Sequence, residues 1–96
     1  MAQRTPAYPS VDEIQKGWAA NVRAARESAG MTLEVAAELL DVRHSTISRW
    51  ENYRSNIPDG AKVRIAGLFG RHVTDLFPWP EQRPPMPRRL PARRAA

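Results

Sequence analysis

Cysteine is absent from this chain of 96 residues. That excludes a disulfide scaffold, a thiolate zinc site and thiol chemistry. Two histidines are too few for a multi-histidine metal site. No apolar run approaches the ~20 residues of a membrane span, and no basic start with an apolar stretch marks a secretory signal. A cytoplasmic chain with no membrane partner is the expectation. Strict apolar alternation and β-branched runs are also missing, so nothing points to strands. Proline is scarce in the middle: only Pro58 lies between Pro9 and Pro78. Regular structure is therefore confined to about residues 10–77. A chain this short buries one modest core.

What is present is an uneven charge. The net charge is +5, from 15 basic and 10 acidic residues. Arg83, Arg88, Arg89, Arg93 and Arg94 carry the whole surplus, because residues 1–82 hold ten of each sign. Within that neutral part, residues 11–41 have three basic and six acidic groups, and residues 42–71 have six basic and two acidic. A body with one acidic and one basic half can turn the basic half to a polyanion. Thirteen of the basic residues are arginine, which suits bidentate contacts to phosphate or guanine.

The periodicity is helical. Ser10 with Glu13 is a capping box. Val11, Ile14, Trp18, Val22, Ala25 and Ala29 follow as one apolar stripe, and Gly30 ends it. Thr32 caps a second helix running to about Leu40, and Asp41 occupies a sharp turn. A third helix covers about residues 44–52, with Ile47 and Trp50 on its buried side. Asp59 is the expected cap of a fourth, with Val63, Ile65, Ala66, Leu68 and Phe69 as apolar positions, and Gly70 as its stop. Thr74 is the expected cap of a last short turn ending at Pro78. The organisation predicted is a disordered lead-in over 1–9, an all-α domain over 10–78 and a Pro/Arg-rich basic tail over 79–96.

Two short helices joined by a tight turn form a helix-turn-helix pattern. The stretch Thr32 to Glu51, TLEVAAELLDVRHSTISRWE, resembles the lambda-repressor-like helix-turn-helix family of the Cro and XRE type. Its most specific part is Ser45 to Glu51, and the resemblance covers about residues 14–77. It implies a compact domain of four to five helices that binds double-stranded DNA. Ala37 is small where the two helices cross, Val42 and Ile47 fill the angle between them, and Trp50 closes the core against the first helix. Arg26 and Glu51 are implied to pair across the first and third helices. The chain departs from the family at four places: Leu33 stands where glutamine is usual, Asp41 where glycine is, Arg43 where serine is common, and Ala36 where a larger apolar residue is usual.

The second helix of such a unit enters the major groove with its N-terminal residues against base edges. His44, Ser45, Ser48 and Arg49 are the implied base readers. Thr32, Arg43, Asn52, Tyr53, Arg54 and Asn56 are candidates for the DNA backbone, where contacts set position rather than sequence. Lys62 and Arg64 fit either the DNA backbone or a solvated helix face. Leu76, Phe77 and Trp79 are candidates for a homodimer contact on DNA. No cofactor, metal or catalytic residue is expected: there is no nucleophile–base set and no phosphate-binding glycine loop.

The leading reading is a small bacterial, phage or prophage repressor. No sensing domain accompanies the helices, so control by a small molecule is not expected. Two other readings stay open. One is an antitoxin-type protein whose C-terminal tail binds a partner protein. The other is an architectural or recombination accessory factor held to DNA mainly by charge. The tail itself reads as a basic arm along DNA, as a solubilising segment, or as a proline-rich ligand.

Overall fold

Ser10 begins the first helix for a local reason. Its hydroxyl accepts from the backbone N–H of Glu13, and the Glu13 carboxylate accepts from the N–H of Ser10, both at 3.0 Å. This capping box satisfies two amides that the helix itself cannot. The computed structural model describes residues 9–80. They form α1 (Val11–Ser28), α2 (Leu33–Leu40), α3 (His44–Glu51), α4 (Asp59–Leu68) and α5 (Val73–Leu76). The fold is all-helical across the described residues, with α2 and α3 joined by three residues, Asp41 to Arg43. No helix among them is long and apolar enough to cross a membrane. The expected lead-in and basic tail fall outside the described residues, except for Pro9, Trp79 and Pro80.

The α1 stripe supplies one wall of the core through Ile14, Trp18, Ala19, Val22 and Ala25. Ala36, Ala37 and Leu40 come from α2, Ile47 and Trp50 from α3, and Ile65 and Ala66 from α4. Ile47, Ile65 and Leu76 are the largest fully buried side chains, so the centre lies where α3, α4 and α5 converge. Leu33 and Val42 pack at its margin. Leu33 thus contributes apolar packing at the position where the family carries glutamine.

Four helices stop by the same device. After α1, Gly30 N–H bonds to Glu27 O at 3.0 Å and Met31 N–H to Arg26 O at 3.1 Å. After α2, Asp41 N–H bonds to Glu38 O at 3.1 Å and Val42 N–H to Ala37 O at 3.0 Å. The ends of α3 and α4 repeat the pattern through Tyr53 and Arg54, and through Gly70 and Arg71. These are Schellman closures, which require a left-handed residue. Glycine meets that need at Gly30 and Gly70, whereas Asp41 (φ 59°) and Tyr53 (φ 53°) do so against their own side chains.

Some sequence expectations fail here. Pro58, not Asp59, occupies the cap position of α4. Asp59 is already helical, so its carboxylate takes Lys62 Nζ at 3.2 Å instead. His72, not Thr74, precedes α5. Val63 is 62% exposed, and Val11 is also exposed, because both point away from the converging helices.

Asp41 generates a prediction. Asp41→Gly removes a side chain from a left-handed turn and should stabilise the fold by about 0.5–1 kcal/mol, seen as a rise in thermal midpoint. An unchanged or lower midpoint would show that the Asp41 side chain contributes more than it strains.

Candidate nucleic-acid interface

At 100° per residue, α3 divides cleanly. Ile47, Trp50 and Glu51 are buried. Ser45, Arg49 and Asn52 lie opposite and are exposed, with His44 exposed and Ser48 half-buried beside them. Ser45 and Arg49 are one turn apart on this outer face. Arg43 precedes α3 and makes no side-chain cap. Thr46 N–H bonds to Arg43 O at 2.9 Å, which leaves the amides of His44 and Ser45 beside an exposed guanidinium. At the start of α2, Thr32 Oγ1 accepts from Val35 N–H at 3.1 Å, which leaves the earlier amides open.

The rear of α3 is held by charge. Arg26 donates through Nε to Glu51 Oε2 at 2.7 Å and through Nη2 to Glu51 Oε1 at 3.0 Å. A third bond runs from Nη1 to Met31 O at 2.8 Å, in the turn before α2. The Glu51 side chain is only 1% exposed and that of Arg26 12%. The bond to Glu51 raises the guanidinium pKa above its ordinary range; burial opposes this and the Glu51 charge reinforces it. A raised pKa means that the stabilising charge is complete at every pH below the ordinary arginine range and is lost only above it. The Arg26 charge is thus retained throughout the physiological pH range.

Arg23 also reaches this cluster, a role that the sequence reading missed. Its Nε lies 3.5 Å from Glu51 Oε1, and its Nη2 donates to Asn52 Oδ1 at 3.0 Å. The signal was available: Arg23 precedes Arg26 by three, which puts both on one helical face. Asn52 also donates to Ser48 O at 2.8 Å, so its amide braces the end of α3.

Tyr53 was a candidate for the DNA backbone, but its side chain turns back onto α1. Its hydroxyl is shared between Asp12 Oδ1 at 2.8 Å and Gln15 Oε1 at 2.9 Å. The bond to Asp12 raises the pKa of the phenol. Arg54 and Asn56 are exposed on the loop that follows.

Two further cations are committed to the body. Lys62 lies 4.1 Å from the centroid of the Trp18 ring. Arg64 donates to the carbonyl of Leu40 at the end of α2. Two of the three dimer candidates are likewise internal. Leu76 is 1% and Phe77 5% exposed, because they close the core of a single chain. Trp79 is 58% exposed. It packs edge-on against Trp18, with centroids 5.2 Å apart.

Comparison with known proteins accords with this arrangement. The sequence family described as helix-turn-helix matches residues 22–76. Among solved structures, the clp gene regulator ClgR from C. glutamicum aligns with a TM-score of 0.62 at 24% identity, over 66% of this chain and 82% of that one. A hypothetical transcription factor, NHTF, from Neisseria aligns with a TM-score of 0.66 at 22% identity, over 82% of this chain and 91% of that one. At such identities the likeness speaks for the fold. No curated protein sequence matches the chain.

The buried pair is open to direct measurement. Glu51→Ala strands the Arg26 guanidinium and should cost about 3–5 kcal/mol in urea unfolding. A loss under about 1 kcal/mol would place the pair with ordinary surface ion pairs.

Proposed function

The chain belongs to the lambda-repressor-like (Cro/XRE-type) helix-turn-helix family, a family of DNA-binding proteins, and from that premise we propose that it is a sequence-specific transcription regulator acting as a repressor. In this reading α3 lies in the major groove of double-stranded DNA. Arg49 reaches a guanine or a phosphate, Ser45 meets the neighbouring base edge, and His44 and Ser48 flank them. Arg43, Arg54, Asn56 and the start of α2 at Thr32 set the register on phosphates. Asn52 braces the last turn of α3 from its exposed side, and Tyr53 ties the following loop to α1. Two copies bind half-sites about one helical turn, ~34 Å, apart. Of the dimer candidates, Trp79 is the one whose exposure leaves it open to a second copy.

One observation carries the reading. Ser45 and Arg49 share the solvent face of α3 directly opposite Ile47, Trp50 and the buried Glu51 carboxylate. A helix fixed so firmly from behind, with a long cation and a short hydroxyl in front, presents a rigid reading surface.

Selection of the full chain against a random duplex library at about 150 mM salt tests this. A two-fold motif is the expected outcome. Capture without any motif would overturn sequence-specific reading in favour of binding by charge. Arg49→Ala should then reduce discrimination at one position by about 1–3 kcal/mol while the fold is kept. Undiminished selectivity would remove Arg49 from the groove.

A further inference from the structure

Away from α3, the chain after α5 runs back along α1 in extended form. Asn21 Nδ2 donates to Leu76 O at 2.9 Å, and Trp18 Nε1 donates to Pro78 O at 2.7 Å. The step of two residues between these bonds, from Leu76 to Pro78, spans three residues of α1 in the opposite direction. Beside it lies an open groove of about 280 Å³ lined by Pro9, Glu13, Gly17, Trp18, Pro78 and Trp79, among others. Gly17 is the one glycine within α1 and weakens the helix there. A Cβ built at Gly17 meets nothing within 4 Å, so the packing of the described residues does not require glycine. It leaves room for something to lie on the helix.

We propose that this groove is the docking site of the chain's own proline run, Pro84–Pro87. Three observations favour this occupant. The exposed ring of Trp79 suits a polyproline segment, which is already stiff and loses little entropy on docking. Trp18 already holds one proline carbonyl of this same segment, at Pro78. The run begins only a few residues beyond the groove wall at Pro80, so its effective concentration is in the millimolar range or above. Docking also shortens the basic arm. The sixteen residues after Pro80 would reach about 50 Å in extended form, whereas the nine after Pro87 reach about 28 Å. Arg88 to Arg94 are then held near the body. The assignment stands independently of the DNA-binding reading.

The test is nuclear Overhauser spectroscopy on the full chain, with a mixed sample of isotope-labelled and unlabelled protein. Contacts from the protons of Pro84, Pro85 and Pro87 to the indole of Trp79, within one chain, are expected. Random-coil shifts with no such contacts would overturn the proposal. Contacts found only between labelled and unlabelled molecules would also overturn it, and would give the groove to a second copy. Gly17→Leu fills the groove and should abolish the contacts while the Ile47 and Trp50 signals report an intact fold. Contacts that persist in that folded variant would place the prolines elsewhere.

Discussion

The orientation of α3 rests on one buried carboxylate. Eight residues cannot hold a helix in water unaided, so packing and bonding must hold α3 from behind. Glu51 sits at its last turn and receives a bidentate guanidinium from α1. The same guanidinium bonds Met31 O in the turn before α2. Three segments thus share one node. Desolvating a carboxylate costs several kcal/mol unless it is fully paired. Arg26 and Arg23 supply that pairing, and among the described residues no buried side-chain polar atom lacks a partner. The direction of this bond matters as much as its strength. It fixes the rotation of α3 about its own axis, and that rotation decides which side chains face outward.

The turns carry the second constraint. A helix-turn-helix needs its two helices to reverse within three residues, and here Asp41 does so in the left-handed region. Val42 then closes the turn with its N–H and fills the angle with its side chain. Tyr53 performs the corresponding reversal after α3, an unusual place for an aromatic residue. Its compensation lies at a distance: the phenol bonds Asp12 and Gln15 on α1. The loop after α3 is thereby tied to the first half of α1, while Glu51 ties the helix itself to the second half.

Much of this was legible before any coordinates. The box at Ser10, the Thr32 cap, the stripe along α1 from Ile14 to Ala25 and the positions of Gly30 and Gly70 depend on neighbours in sequence, and each forms where the sequence placed it; only the ends of the stripe, Val11 and Ala29, are exposed. The errors share a different character. Val63 sits in an apolar pattern that fits either of two faces of a weakly amphipathic helix, so periodicity alone could not orient α4. Asp59 and Thr74 are good caps by residue type, but Pro58 and His72 hold the extended backbone that a cap position requires. The bonds that tie Tyr53, a candidate for the DNA backbone, to Asp12 and Gln15 were not foreseen, because these partners lie about forty positions away in sequence. Contacts of that separation leave no local trace.

The fate of the cations bears on the proposed function. Residues 42–71 carry six basic side chains, which suggested a strongly basic face. The fold commits two of them elsewhere, Lys62 to Trp18 and Asp59, and Arg64 to the end of α2. Of the other four, Arg43, Arg49 and Arg54 are exposed around α3, and Arg71 is exposed after α4. If the three around α3 met phosphates, counterion release would give a salt slope near about −2.7, a modest electrostatic contribution from a single body. A protein so built cannot rely on its folded charge for tight non-specific binding. Under the proposed reading, affinity must come from base contacts repeated by a second copy, or from the arginines beyond Pro87. That dependence makes the anchoring of the tail consequential, because the same arginines that would strengthen binding are the ones whose reach the groove on α1 would set.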